Sequence, residues 1–240
     1  MPAMAGADHN SVGARLGVLA FGDSITNGGG ELQWGVALQS WALWVARGLG
    51  LPYTGYAVDG ARATDVVARQ IPLFERASAQ RGARYDVGCL YIGVNDVRFP
   101  GWDLAEFTRA FERALQFVRE RCERTLTATA PLKLGVPPAP QQRMRELNAA
   151  VTTAAASAGA LVVDLSGFGA RNHVMPDRVH PTAFGQIAIA ERALAVLAAD
   201  GLPARVAPAS LISWHESRRG RLRGDATYVY RYLKRRLGAM

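Results

Sequence analysis

The sequence predicts an α/β domain: a parallel sheet covered by helices on both faces. Short apolar and β-branched runs alternate five times with longer segments whose apolar residues recur at helical spacing. Hydrophobic residues make up 49% of the 240-residue chain and charged residues 20%, the balance of a soluble globular domain. That length suits one medium domain plus an appendage, large enough to bury a core without a disulfide or metal staple.

Taken in order, strands are expected over residues 16–21, 53–58, 86–93, 125–130 and 160–165. Helices are expected over 39–49, 63–77, 104–121, 141–158 and 182–199. Leu104, Phe107, Phe111, Leu115 and Val118 stand three and four apart and form one apolar face. Trp41 and Trp44, with Leu38 and Val45, read as core. Pro131, Pro137, Pro138 and Pro140 mark a stiff link after the fourth strand. Thr182 is a natural N-cap, and Gly201 stops the last helix. Right-handed crossovers put every strand's C-terminal end on the same edge, where open α/β sheets bind ligands.

Three boundaries follow: an N-terminal segment at 1–15, a body at 16–204 and a basic tail at 205–240. The formal charge of +8 is unevenly placed, since nine of the 28 Lys/Arg but only two of the 20 Asp/Glu fall in the tail. The body is nearly neutral and offers no basic stripe or binding motif for nucleic acid. In the tail, Val229, Leu233 and Leu237 share a stripe beside Arg231, Lys234 and Arg235. This pattern suits a weak contact of residues 214–240 with an anionic membrane face or a partner, or else a basic terminus that is poorly ordered or docks on its own body. No apolar run reaches the roughly 20 residues needed to cross a bilayer, and no export signal opens the sequence, so a cytoplasmic location is expected. Cys89, in a strand-like run, and Cys122, in a charged helical segment, have no partners at metal-ligand spacing and read as reduced thiols. No metal and no cofactor is expected.

Four polar words follow predicted strands and so share one edge. They are Gly22-Asp23-Ser24 within FGDSITNG, Gly60 within AVDGARATD, Gly93-Val94-Asn95-Asp96, and Asp177-Arg178-Val179-His180. Acyl transfer needs a nucleophile, a base, a group that orients the base and donors for the oxyanion. Ser24 at a strand-to-helix turn presents its hydroxyl outward and its own N–H at a helix N-terminus. Gly60 lets a backbone N–H approach the same oxygen, and the Asn95 amide can add a third donor. Asp177 can hold His180 by Nδ1, leaving Nε2 to face Ser24. His9 and His215 lie in the termini, and His173, the remaining competitor, has no carboxylate at the right spacing. Asp23, Asp59 and Asp96 read as organisers of their own turns, Arg98 as a solvated surface residue or a contact for an anionic substrate, and Trp34 and Trp102 as rim packing or walls of an acyl or sugar pocket.

FGDSITNG, the glycine after strand two, GVND and DRVHP together resemble the conserved blocks of the SGNH (GDSL-like) hydrolases over residues 16–199. The words AVDG, GVND and DRVHPTAFG, with the Arg-rich tail, are most similar to intracellular actinobacterial members. The resemblance implies a five-stranded flavodoxin-like α/β/α fold and hydrolysis of a small-molecule ester or related acyl bond through an acyl-enzyme on Ser24. It implies a Ser24, Asp177 and His180 triad and an oxyanion hole of Ser24 N–H, Gly60 N–H and the Asn95 side chain. One departure is the segment Tyr56-Ala57-Val58-Asp59-Gly60, where family members often carry an Asn shortly before the glycine. Two alternatives keep the same fold: a non-catalytic binding protein docking through the tail, and an acyltransferase using the same triad. Oligomeric state is not legible in the sequence.

Overall fold

The computed structural model describes residues 15–30, 36–77, 83–214 and 218–237. His9, Trp34, His215 and all of the N-terminal segment except Arg15 lie outside the described residues.

Five strands form one parallel sheet in the order β2-β1-β3-β4-β5. They are β1 (Val18–Gly22), β2 (Tyr53–Gly55), β3 (Tyr85–Tyr91), β4 (Cys122–Ala128) and β5 (Leu161–Val163). The connecting helices begin with α1 (Ser24–Asn27), α2 (Trp41–Leu49) and α3 (Ala63–Asp65). A π-helical turn (Val66–Gln70) then joins α3 to α4 (Ile71–Ala77). They are followed by α5 (Leu104–Arg121), α6 (Gln141–Ala158) and α7 (Ala183–Ala199), with α8 (Arg218–Leu237) closing the chain. Helices α2 and α7 pack together on one face, and α3 to α6 cover the other. This is the expected three-layer, flavodoxin-like arrangement, and its strand order reverses between β1 and β3.

Burial on both faces explains the near-continuous apolar strands. Val18, Leu19, Ala20 and Phe21 are wholly buried. Phe21 stacks on Tyr56 and meets Phe74 and Phe117 edge-on, an aromatic cluster that seats α4 and α5. On the other face Trp41 and Trp44 are buried, and Trp41 meets Tyr91 edge-on.

Helices α5 and α6 match their expected spans. Ser40 caps α2, accepting from the Ala42 N–H, so that helix starts at Trp41 rather than Gln39. Strand edges differ more. Only three residues of β2 are ladder-paired, although Tyr56 and Val58 still donate to the Ala20 and Gly22 carbonyls before the chain turns at Asp59-Gly60. Cys122 is the first residue of β4, not part of a helix, because α5 passes into β4 with no intervening loop. The apolar spacing of Phe111, Leu115 and Val118 runs on to Cys122, so periodicity misses the boundary. Both thiols are free and buried, and burial pushes the Cys122 thiol up to about 12.

The tail segment 218–237 is helical. Its face carrying Asp225, Tyr228 and Tyr232 lies against the body: Arg171 pairs with Asp225 and sits over the Tyr228 ring. Leu222, Val229, Leu233 and Leu237 are exposed. Among the described residues no helix is long and apolar enough to cross a membrane.

Candidate active site

At the end of β1 the backbone turns sharply into α1. Gly22 has φ +151°, and a side chain there would strike the Tyr91 carbonyl and Thr26, so only glycine fits. Asp23 caps α1 by accepting from the Ile25 N–H at 2.9 Å. Ser24 is therefore the first residue of the helix, with its N–H outside the intrahelical ladder.

Two buried glutamines hold this turn. Gln70, from the π-helical turn, accepts from the Gly22 N–H at 3.1 Å and donates to the Gly22 carbonyl at 2.7 Å. Gln186, from α7, accepts from the Trp41 N–H at 2.8 Å and donates to the Ile25 carbonyl at 3.0 Å. Gln70 is the last residue of that π-turn, a kind of irregularity common at functional sites, and from it reaches across to β1. Neither residue stands out in the sequence, since a glutamine inside a helical pattern carries no sign that it is buried.

Asp177 and His180 come from the loop between β5 and α7. Val174 and Pro181 form an antiparallel bridge, and the Met175 N–H donates to the His180 carbonyl at 2.8 Å, closing the loop on itself. Inside it, Asp177 Oδ1 accepts from the Val179 and His180 N–H groups at 2.9 and 3.1 Å. Its Oδ2 lies 2.7 Å from His180 Nδ1, and His180 Nε2 lies 3.0 Å from Ser24 Oγ. Ser24, His180 and Asp177 thus form one continuous hydrogen-bonded chain. His173 instead stacks on Phe168.

Burial pulls the Asp177 carboxyl upward, but its hydrogen bonds from the His180 ring and the two amides hold it below the ordinary carboxylate value. The hydrogen bond and charge of Asp177 raise the His180 pKa against the opposing effect of burial. Asp23 is fully buried with Oδ2 unpartnered, and desolvation lifts its pKa to about 7.

The expected oxyanion donors sit on adjoining loops. Asn95 Nδ2 donates to the Ala61 carbonyl at 3.0 Å, tying the loop after β3 to the one carrying Gly60. Gly60 has φ +74°, is exposed, and has open space where a Cβ would stand. Its N–H has no hydrogen-bond partner among the described residues.

The neighbouring aspartates act differently from one another. Asp23 organises its own turn, as expected. Asp96 reaches across to the Ala63 N–H, both oxygens at 3.2 Å, and Asp59 accepts from Asn27 Nδ2 at 2.9 Å. They brace one loop against another, which local turn chemistry does not anticipate. Trp102 packs on Phe107 beside the core. Among the described residues no cluster of three or more His, Cys, Asp or Glu side chains is arranged to hold a metal ion.

A family model described as GDSL-like Lipase/Acylhydrolase matches residues 20–187. No curated protein matches significantly in sequence. Solved structures are similar in fold. An acetylxylan esterase from Geobacillus stearothermophilus is 22% identical with a TM-score of 0.57, covering 77% of this chain and 96% of that one. A member of the lipolytic G-D-S-L family from Veillonella parvula is 21% identical with a TM-score of 0.60, covering 75% and 97%. A lipase/acylhydrolase from Enterococcus faecalis is 20% identical with a TM-score of 0.58, covering 78% and 96%. Identities this low establish the fold alone; the family rests on the model match across most of the body. The chain belongs to the GDSL-like lipase/acylhydrolase family and is a hydrolase acting on ester bonds.

Proposed function

We propose that the chain is a metal-independent serine esterase that forms an acyl-enzyme on Ser24. The observation that carries this reading is the unbroken Ser24–His180–Asp177 hydrogen-bond chain, with spacings of 3.0 and 2.7 Å. Ser24 Oγ attacks the ester carbonyl carbon and its proton passes to His180 Nε2. The tetrahedral oxyanion is held by the N–H groups of Ser24 and Gly60 and by Asn95. His180 then gives the proton to the departing alkoxide, which leaves as the alcohol. Water attacks the acyl-enzyme, His180 takes its proton, and that proton returns to Ser24 Oγ as the acid departs. Asp177 keeps Nδ1 protonated and stabilises the imidazolium. Short acyl esters, including acetylated carbohydrates of the kind named for the Geobacillus esterase, are the first substrates to try.

A fluorophosphonate probe tests the assignment. The folded protein should label stoichiometrically and Ser24→Ala should not; a folded protein that resists labelling is instead a binding protein on this fold. The cytoplasmic location and the likeness to intracellular actinobacterial members remain part of this reading. A second reading concerns α8 alone. Its exposed stripe Leu222, Val229, Leu233 and Leu237, on a helix with one acidic residue, Asp225, favours a weak contact with anionic membrane surfaces. Salt-sensitive co-sedimentation with phosphatidylserine vesicles, absent with phosphatidylcholine, tests it.

A further inference from the structure

A cleft of about 880 Å3 opens beside the His180 loop, between α8 and the proline-rich segment after β4. Its charged lining is of one sign: Lys133, Arg178 and Arg236, with no carboxylate. None of the three has an ion-pair partner among the described residues. Asp225, the only acid in α8, is already taken by Arg171. The rest of the lining includes Val136, Pro137 and Pro138, a stiff apolar wall. A fourth cation stands beside Gly135, where a Cβ would lie 3.5 Å from Arg98 Nε.

The cleft is tied directly to the catalytic loop. Arg178 stands between Asp177 and His180 in sequence, and its carbonyl accepts from the Gly135 N–H at 2.9 Å. Arg178 has φ +55° and lines the cleft, and a Cβ on Gly169 would lie 3.5 Å from its Nη2. The charge of Arg98 already reaches His180, where it opposes protonation. Uncompensated like charges around a concave, partly apolar surface concentrate anions, and guanidinium groups match carboxylate and phosphate geometry.

We propose that this cleft holds an anionic group, carboxylate or phosphate, of the ester substrate, so that the enzyme selects charged esters over neutral ones. The proposal rests on the serine-esterase reading of the neighbouring site. It assigns α8 a part in substrate selection through Arg236 and Tyr232, which line the cleft with Arg178 of the His180 loop.

The test compares matched esters on the full-length protein. An acyl-side arm sets mono-4-nitrophenyl adipate against 4-nitrophenyl hexanoate. An alcohol-side arm sets 3-carboxy-4-nitrophenyl acetate against 4-nitrophenyl acetate. In at least one arm kcat/KM should favour the anionic ester by about tenfold or more after correction for leaving-group reactivity. The Lys133→Ala/Arg236→Ala double variant should bring that ratio close to one. Inorganic phosphate, titrated calorimetrically into the Ser24→Ala chain, should bind, and should bind about tenfold more weakly when the two cleft substitutions are added. Ratios near one in both arms, or a preference the double variant leaves intact, overturn the proposal. If the parent protein hydrolyses neither member of any pair and resists the fluorophosphonate probe, the esterase reading has failed on its own. The phosphate titration then decides the cleft: binding that depends on Lys133 and Arg236 upholds its anion specificity, and its absence overturns it.

Discussion

The two loops that meet at the Ser24–His180 hydrogen bond are held in different ways. The turn bearing Ser24 is gripped from outside. Gln70 clamps both polar groups of Gly22 from one face of the sheet, and Gln186 pins the Ile25 carbonyl from the other. The loop bearing His180 is held mainly from within, through the Val174–Pro181 bridge and three hydrogen bonds to the Asp177 carboxylate from residues no more than three positions away, with one outward tie from the Gly135 N–H to the Arg178 carbonyl. Ser24 stands where a strand ends, and beside the local Asp23 cap its turn is held by buried side chains from two distant helices. A loop of several residues can be organised by one short acidic side chain. Damage to the first region should therefore spread into global stability, while damage to the second should stay in the chemistry.

The largest effect expected is from Ser24→Ala, which removes the proposed nucleophile and should lower kcat about a million-fold on a small acetyl ester, measured under steady-state conditions. Hydrolysis at the parental rate would show that the hydrogen-bonded chain is not the catalytic one. Asp177→Asn should cost about 10⁴-fold while leaving the thermal midpoint nearly unchanged. His180 must be neutral to accept a proton, and its pKa is raised above the ordinary 6.5 by Asp177. The acid limb of kcat/KM against pH should thus lie above 6.5 in the parent and move to lower pH in the variant. A limb that stays put would mean that Asp177 does not tune the imidazole.

Asn95→Ala should lower kcat about a hundred- to a thousand-fold with KM little changed, as expected for a donor used mainly in the transition state. Gln186→Leu sharpens the contrast between the regions, because it leaves the buried Trp41 N–H and Ile25 carbonyl without that partner. Denaturant unfolding should register a loss of about 2–5 kcal/mol, where Asp177→Asn registers little.

The smallest effect concerns Asp23. With a pKa of about 7 in the folded chain against an ordinary 3.8, it keeps a proton that the unfolded chain releases between those values. Stability should therefore fall as pH rises from about 4 to 7 and stay lower above that range. Asp23→Asn keeps an N-cap acceptor and has nothing to ionise. At pH 8 it should be more stable than the parent by about 1–3 kcal/mol, with the gain gone below pH 4; thermal melts across this range would detect it.

Much of the fold and of the candidate site was legible because its signals are local. The helical period of Leu104 to Val118 lies within one segment, and α5 emerged with its expected span. The GDS, GVND and DRVH words each follow a strand, and a parallel sheet sends such words to one edge whatever their separation. Where tertiary pairing sets the limits, the reading slipped. The ends of β2 and β5 depend on how far their neighbours continue alongside, and Cys122 belongs to β4 because Tyr85 lies opposite it.

What lay in the one-dimensional pattern, then, was the alternation of strands and helices and the residue types that acyl transfer demands, since both follow from short-range backbone preference and side-chain chemistry. Burial of Gln70 and Gln186, the reach of Asp96 to Ala63, and the joining of α8 to the proline-rich segment in one cationic cleft arose only on folding. Each is a contact between segments far apart along the chain, and such contacts exist only once hydrophobic burial has chosen which surfaces meet.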